Sequence, residues 1–248
     1  MRYFIHLQYR GTNYAGWQIQ NNALTVQEVL DKALSTILRE EIDTLGCGRT
    51  DAGVHASSFY AHFDAQAEFD AAQLVFKLNR FLPKDIAVFS IVPVHKEAHA
   101  RFDATSRTYH YKIHLHKSAF LHGLSTPTHL QLNLEYLNKL ASLFIMKGDF
   151  GAFQRVGGDN KTNICDVRES YWVREGEQLI YTITADRFLR NMVRAVVGTQ
   201  LDIVANRFAE NELPEIIASK DRGKAGTSAP PDGLYLAKIV YPYINDER

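Results

Sequence analysis

Nine residues, GRTDAGVHA from 48 to 56, concentrate groups that can do chemistry in a stretch rich in small residues. Its glycines disfavour a helix and its polar side chains do not suit a strand core, so the sequence predicts a tight loop. Asp51, the one carboxylate, is the best candidate for a catalytic group, although an aspartate in this setting is also a common turn residue. Arg49 can hold a phosphate or an extruded base. His55, between Val54 and Ala56, is expected to be packed and hydrogen-bonded rather than catalytic.

Two later segments offer partners for such a carboxylate. HARFDATSRTYHY, from 99 to 111, contains Tyr109, which is either a core aromatic residue or a platform on which a nucleobase stacks. FLRNMVRAVVG, from 188 to 198, reads as a helix in which apolar residues surround Arg194. A partly buried guanidinium requires a carboxylate partner, and Asp51 is the partner we expect.

Metal chemistry is not indicated by the sequence. In an extended strand His110, His114 and His116 share one face, but no acidic or cysteine partner follows at ligand spacing, so a solvated strand face is the expected reading. Cys47 and Cys165 form no CxxC pair, and reduced thiols are expected. We therefore predict no metal site.

The elements that position these residues follow from the periodicity of apolar residues. Thr25 with Glu28 three residues later is a capping box, which predicts a helix start. The first part of the chain then reads as strand, helix, strand, helix and strand, at about 2–10, 26–38, 57–66, 70–81 and 86–94. The second part reads as a strand, a helix, two strands, two helices and a last strand, at about 107–116, 133–147, 165–174, 178–186, 188–207, 211–218 and 233–242.

This order predicts an α+β protein built from two similar subdomains, 1–105 and 106–248. Mixed or antiparallel sheets are expected to form an extended sheet, with helices on one side and a central cleft that holds the active site. The first subdomain would carry the Asp51 loop, and the second would carry Tyr109 and Arg194.

Composition limits the function without naming it. The chain has 248 residues, of which 46% are hydrophobic, and its 28 basic residues balance 28 acidic ones. A bulk polycation is excluded, so nucleic acid would have to bind a local basic surface. The apolar runs are far shorter than the roughly 20 residues needed to cross a bilayer, and the N-terminus reads as a strand rather than a signal peptide. A cytoplasmic protein without a membrane partner is expected.

Four segments, GRTDAGVHA, ARFDATSRTYHY, FLRNMVRAVVG and TSAPPDGLYLAKIVY, resemble in order and spacing the TruA family of tRNA pseudouridine synthases. The resemblance covers nearly the whole chain. It implies the pseudouridine synthase fold, a homodimer, and conversion of uridine to pseudouridine at positions 38, 39 and 40 in the anticodon stem-loop of tRNA, without a cofactor.

The resemblance also implies roles for individual residues. Asp51 matches the catalytic aspartate, Tyr109 the active-site tyrosine and Arg194 the arginine that pairs with the aspartate, while Arg49 resembles the residue that helps to displace the target base. The segment 156–166 departs from the family pattern, because Lys161 is its one basic residue. RNA is expected to contact a group of arginines in the cleft, namely Arg49, Arg101, Arg107, Arg187 and Arg190.

The reaction suits these residues because an isomerisation needs no external group or electron donor, and the sequence has no nucleotide-binding or zinc signature. The carboxylate of Asp51 can attack C1′ of the ribose or act as a base at C2′, and both routes remain open. A nearby guanidinium such as that of Arg194 favours the charged carboxylate. A phenol with an ordinary pKa of about 10 is a poor base at neutral pH. Stacking and hydrogen bonding are thus the expected role of Tyr109, ahead of help in removing the C5 proton.

Three other functions compete with this one. A non-catalytic RNA-binding module with two RRM-like halves would leave the polar Asp51 loop unexplained. A nucleoside or glycoside hydrolase ordinarily uses two carboxylates, whereas the motif has one. A zinc deaminase would need the H-x-E and PCxxC pattern, which the sequence lacks.

Overall fold

The structure is a computed structural model that describes residues 1–66, 68–155, 157 and 161–244. Its backbone contacts divide the chain into two compact units. The first unit consists of Met1–Thr105 and the described part of Tyr235–Arg248, and the second is Ser106–Leu234. The order of elements in the sequence predicts that 235–248 belongs to the second subdomain. In the structure the described residues after Leu234 join the first unit, because the last strand pairs with a strand of that unit.

Ten strands and five α-helices lie in the described part of the chain. The strands are β1 (Arg2–Tyr9), β2 (Leu45–Gly46), β3 (His55–Asp64), β4 (Ile86–Pro93), β5 (Ser106–His114), β6 (Thr126–Pro127), β7 (Lys147–Asp149), β8 (Ile164–Glu175), β9 (Gln178–Ala185) and β10 (Leu234–Val240). The helices are α1 (Val26–Leu38), α2 (Ala71–Phe81), α3 (Leu134–Ser142), α4 (Met192–Val204) and α5 (Leu213–Ser219).

In the first unit the strand order is β4-β1-β3-β10, with the short β2 paired to β3. β1 is antiparallel to both β3 and β4, whereas Tyr235 and Leu236 of β10 pair in parallel with the start of β3. α1 and α2 contact each other, and α2 packs on β4. The Thr25 hydroxyl accepts a hydrogen bond from the Glu28 N–H at 3.3 Å, so the predicted cap of α1 is confirmed.

In the second unit the strand order is β6-β5-β9-β8-β7. β5 is parallel to β6, and the other pairs are antiparallel. α3 packs on β8 and also contacts α4. Each unit is thus a mixed sheet with packed helices, and the predicted α+β class is confirmed. The predicted cleft concerns both units together and stays a prediction.

The differences from the predicted elements have local causes. Asn191 takes a left-handed conformation with φ 68°, so the helix predicted from 188 begins at Met192. The helix predicted to reach 147 ends at Ser142, because Lys147 already belongs to β7. Strands of two or three residues, such as β2 and β6, are too short to show a period in the sequence. Among the described residues, no helix has the length and apolarity that crossing a membrane demands.

Candidate active site

Asp51 lies in the first unit on the loop that connects β2 to β3, and its side chain is partly buried. The Val54 N–H donates a hydrogen bond to the Asp51 carbonyl at 3.1 Å, which closes a tight turn. Gly53 within that turn has φ 79°, a left-handed conformation that favours glycine. The turn uses the backbone of Asp51, so a turn and a chemical role of the carboxylate are compatible.

Both flanks of Asp51 are bound to a second loop, residues 11–17. The Trp17 N–H donates to the Thr50 carbonyl at 3.3 Å, and the Gly53 N–H donates to the Tyr14 carbonyl at 3.2 Å. These bonds join two segments that lie far apart in the sequence. The path of the chain through Asp51 is therefore fixed on each side of the carboxylate.

Two glycines let the backbones of these loops touch. A Cβ atom on Gly11 would lie 2.0 Å from the Val54 carbonyl oxygen, and one on Gly16 would lie 2.3 Å from the Thr50 carbonyl oxygen. Gly16 also has φ +94°. Sequence reasoning missed this support for the Asp51 loop, and the signal that could have found it is the pair of glycines that bracket GTNYAG.

His55 fastens the C-terminal end of the Asp51 loop. Its side chain is fully buried, and its Nδ1 accepts a hydrogen bond from the Gly11 N–H at 3.0 Å. Its ring stacks on Tyr235 with centroids 4.6 Å apart, and burial raises the pKa of that tyrosine to about 12. The predicted packed role of His55 is confirmed.

Arg194 lies in the second unit on α4 and is partly buried, as predicted. Its Nε donates a hydrogen bond to the Ala229 carbonyl at 2.7 Å, and its own carbonyl accepts one from the Ala229 N–H at 2.9 Å. Because the guanidinium is planar, a bond at Nε restricts the directions in which its other nitrogens point. Ala229 thus orients the Arg194 side chain.

The segment that contains Ala229 is itself bound closely to α4. A Cβ atom on Gly198 would lie 1.7 Å from the Thr227 carbonyl oxygen, so only glycine allows this approach. The Thr227 N–H donates to Asp202 Oδ2 at 2.9 Å, and Asn191 Nδ2 donates to Ser228 Oγ at 2.7 Å. That this segment holds Arg194 was not predicted from the sequence.

Tyr109 lies on β5 of the second unit, opposite Ile183 of β9. Its partly buried ring meets Phe188 edge-on, with centroids 5.0 Å apart and planes at 82°. Arg107, two residues earlier on the same face, donates from Nη1 to the Asp186 carbonyl at 2.9 Å. The segment after β9 therefore fixes both side chains at one end of the sheet.

The units divide the predicted site residues between them. Asp51, Arg49 and Arg101 belong to the first unit, while the second contains Tyr109, Arg107, Arg187, Arg190 and Arg194. Arg49, Arg101 and Arg190 are exposed, and Arg107 and Arg187 are partly buried. The ion pair between Asp51 and Arg194 and the convergence of the arginines stay predictions. In the segment 156–166, residues 156 and 158–160 lie outside the described residues.

The histidine face of β5 differs from the expected solvated face. His114 is only 4% exposed and His110 is partly buried, while His116 is exposed. Loss of water around His110 lowers its pKa. The expectation was wrong for His114 because that face packs inside the second unit. Within the described ranges, no three histidine, cysteine or acidic side chains gather in a way that could hold a metal ion.

Comparison with known proteins gives one consistent family. The sequence profile described as tRNA pseudouridine synthase matches residues 5–103 and 140–242. The matched segments contain Asp51 and Arg194, and Tyr109 falls between them. The chain is 45% identical over 245 residues to tRNA pseudouridine synthase A of Porphyromonas gingivalis, covering 97% of each chain. It is 48% identical over 242 residues to the protein of the same name from Parabacteroides distasonis, covering 97% of this chain and 96% of the relative.

Proposed function

Since this chain belongs to the tRNA pseudouridine synthase family, whose members are isomerases that act on tRNA, we propose that it converts uridine to pseudouridine in the anticodon stem-loop, at positions 38, 39 and 40, with Asp51 as the catalytic carboxylate. The observation that carries the proposal is the family match over both segments that contain the proposed charge partners, Asp51 and Arg194.

The geometry of the Asp51 loop supports this role. The loop is hydrogen-bonded through its backbone at Thr50 and Gly53, so the Asp51 side chain is attached to a backbone that is held in place on both sides. A catalytic group has to be held in the productive geometry before the substrate arrives, and a fixed loop supplies that.

The reaction breaks the bond between N1 and C1′, turns the uracil, joins C5 to C1′ and removes the C5 proton. Asp51 acts either by attack on C1′, which gives a covalent ester, or as a base that takes a proton from C2′, which gives a glycal. In both routes atoms are conserved between uridine and pseudouridine, so no cofactor is consumed. When C5 joins C1′, Asp51 is released from the ester, or in the glycal route it returns its proton to C2′. The C5 proton leaves to solvent, and N1 takes up one proton.

Arg194 and Tyr109 are proposed to act on either side of this step. Arg194 pairs with Asp51 as its opposite charge, and the bond from its Nε to Ala229 supports a fixed direction for that pairing. Tyr109 stacks against the uracil and donates a hydrogen bond, since its ring is supported edge-on by Phe188. Arg49 helps the target base to leave its stack, which costs a few kcal/mol in a paired region.

Binding of tRNA is proposed to depend on shape and phosphate position more than on base sequence. The phosphate contacts come from exposed or partly buried arginines, namely Arg49, Arg101, Arg107, Arg187 and Arg190. The protein acts as a homodimer in the cytoplasm, in line with the homodimer that the family resemblance implies.

The proposal is tested with an unmodified tRNA transcript that carries tritium at C5 of its uridines. Isomerisation releases this tritium to water, and carbodiimide-dependent primer-extension stops locate each pseudouridine. Asp51→Ala should lower the rate by at least about 100-fold, the usual range for a lost acid–base or nucleophilic group, and leave tRNA binding largely intact.

Asp43→Ala is the matched control, because Asp43 is an exposed carboxylate shortly before the same loop. It should release tritium at the wild-type rate. An Asp51→Ala protein that retains full activity would overturn the mechanism. Release of free uracil would indicate a hydrolase instead, and stops confined to sites outside the anticodon arm would refute the proposed positions while leaving the chemistry in place.

A further inference from the structure

The outward side of α2 in the first unit combines cations with exposed aromatic rings. Lys77 and Arg80 lie on the helix and Lys84 follows it, and all three are exposed. The side chain of Phe76 is 61% exposed and that of Phe81 is 52% exposed. The sequence from 71 to 84 contains no acidic residue. In a chain whose charges balance overall, this is a local basic and aromatic surface.

Part of this surface points in one direction. At 100° per residue, Gln73, Phe76, Lys77 and Arg80 fall within about 100° of the helix circumference; we call these four residues the α2 face. The guanidinium carbon of Arg80 lies 5.7 Å from the centroid of the Phe76 ring. The α2 face therefore presents a ring and a cation side by side, the combination that binds single-stranded nucleic acid through stacking and charge.

The α2 face is held rigidly on the first unit. Leu74 and Leu78 bury the opposite side of the helix, and α2 packs on β4. Asn79 exchanges two hydrogen bonds with the backbone of Val88, one from Asn79 Nδ2 to the Val88 carbonyl and one from the Val88 N–H to Asn79 Oδ1, each at 2.8 Å. A rigid surface loses little conformational freedom on binding.

Structural roles account for only part of this surface. A cation in the last turn of a helix is stabilised by the helix dipole, and this explains Arg80. It does not explain Lys77, which lies one turn earlier, and it does not explain the exposed Phe76. The neighbouring helix α1 shows the ordinary pattern, since its exposed Glu28 and Lys32 are four residues apart and of opposite sign. α2 has no such balance.

We propose that the α2 face binds the RNA strand of the tRNA substrate, with Lys77 and Arg80 on adjacent phosphates and Phe76 stacked on an unpaired base; this assignment rests on the proposed function. Charge complementarity favours RNA over a second copy of the chain. Across a two-fold axis the same patch meets itself, so the cations of the α2 face would oppose their own copies.

The test is the salt dependence of binding to an unmodified tRNA transcript. Each phosphate contact contributes about 0.7 to 0.9 to the slope of log affinity against log salt concentration. The double variant Lys77→Gln/Arg80→Gln should therefore have a slope shallower than that of the wild type by about 1.4 to 1.8. Phe76→Ala should weaken binding by about 5- to 150-fold, the range for loss of one stacked base, with little change in slope.

Lys32→Gln on α1 is the matched control, because it removes one exposed cation from the other helix of the same unit. It should leave both slope and affinity at wild-type values. An unchanged slope in the double variant would overturn the assignment. The assignment would also be overturned if the Phe76→Ala dimer dissociates while binding of tRNA is unchanged, since the α2 face would then be a contact with a second copy of the chain.

The assignment and the proposed function fail in different ways. The binding measurement does not need turnover, so a wild-type protein that shows the expected slopes but releases no tritium would overturn the proposed isomerase and support the α2 face. A fully active enzyme whose double variant binds tRNA with the wild-type slope would overturn the α2 face alone.

Discussion

The two units hold their proposed functional groups in different ways. In the first unit the bonds described for the Asp51 loop are backbone bonds of Thr50, Gly53 and of Asp51 itself, whose carbonyl accepts from Val54. In the second unit the functional side chain makes the bond itself, from Arg194 Nε to the Ala229 carbonyl. The path of the chain through Asp51 is thus fixed by loop bonds, and the direction of the Arg194 guanidinium is set by a bond at its own Nε. Different substitutions should therefore disable the two groups.

The packing around Asp51 and the packing around Arg194 have one feature in common, a glycine at which two backbone segments are in contact. Gly16 lets loop 11–17 approach the Thr50 carbonyl, and Gly198 lets the segment before Ala229 lie on α4. In both places a side chain would have to displace backbone rather than a flexible side chain. We therefore expect substitution of either glycine to lower stability and activity more than substitution of most residues near the site.

The largest effect is expected at Gly16. In Gly16→Ala the new Cβ would lie 2.3 Å from the Thr50 carbonyl oxygen, and φ +94° is strained for alanine. Overpacking and backbone strain each cost about 1–3 kcal/mol, so the free energy of unfolding should fall by roughly 2–6 kcal/mol and tritium release should be lost. Urea unfolding and the tritium assay measure both quantities.

Gly48→Ala is the control, because a Cβ there meets nothing within 4 Å and the glycine stands in the same Asp51 loop. It should be close to the wild type in stability and in rate. A stable, active Gly16→Ala protein would show that loop 11–17 does not fix the path through Asp51.

The next largest effect is expected in the pH dependence of the free energy of unfolding, through Asp31 in the first unit. Asp31 on α1 is 8% exposed, and its Oδ1 accepts hydrogen bonds from the Thr44 N–H at 3.1 Å and the Thr44 hydroxyl at 2.6 Å, just before β2 leads to the Asp51 loop. Burial raises the pKa of Asp31 to about 7. The folded state then binds this proton more tightly than the unfolded state does. The contribution of Asp31 to the free energy of unfolding is therefore fully present below about pH 4, and it is lost as the pH rises to about 7.

The free energy of unfolding should accordingly fall by on the order of 1 kcal/mol per pH unit between about pH 4 and 7 on account of this residue. Asp31→Asn keeps an oxygen for Thr44 and removes the titration, so its unfolding free energy should vary less over that range. Denaturant unfolding at several pH values measures the difference. Equal slopes in the wild type and the variant would show that Asp31 does not titrate there.

The sequence predicted the parts of the first unit that depend on local signals. Thr25 caps α1 as its spacing to Glu28 indicates, and its hydroxyl accepts the expected backbone hydrogen bond. The Asp51 loop and the packed state of His55 follow from short-range patterns as well. The support from Gly11 and Gly16 was missed: the glycine pair can indicate a close backbone approach, but the segment that it contacts lies more than thirty residues away and is not identified by the sequence.

The second unit shows the same limit. Apolar neighbours predicted that Arg194 is partly buried, and the structure confirms it. The residue that orients it, Ala229, offers a backbone carbonyl, and any residue type carries one. The left-handed Asn191 that delays the start of α4 was also missed, since asparagine is compatible with both a helix and a turn.

The bond that distinguishes the second unit is tested by Arg194→Lys. Lysine keeps the positive charge but has no Nε–H to donate to Ala229, so the cation loses its fixed direction. A hydrogen bond from a charged group contributes about 1.5–3 kcal/mol, which corresponds to a rate lower by roughly 10- to 150-fold. Single-turnover tritium release measures the rate, and unfolding in urea shows whether stability is retained. A wild-type rate would mean that a positive charge at position 194 is enough for the reaction, and that the bond to Ala229 has no effect on the rate.

The smallest effect is expected for Tyr109→Phe, which separates the ring of Tyr109 from its hydroxyl. The ring meets Phe188 edge-on at 5.0 Å, and phenylalanine retains that contact and the stacking surface. Because stacking is the proposed role, the single-turnover rate should fall by no more than a few-fold. Tyr109→Leu removes the ring and should slow the reaction by about 5-fold or more, the lower bound for loss of one stacked base. The reverse order, with a large loss in Tyr109→Phe and little more in Tyr109→Leu, would assign the hydroxyl to removal of the C5 proton. Tyr109 would then be a second reacting group beside Asp51, and the second unit would contribute chemistry as well as orientation.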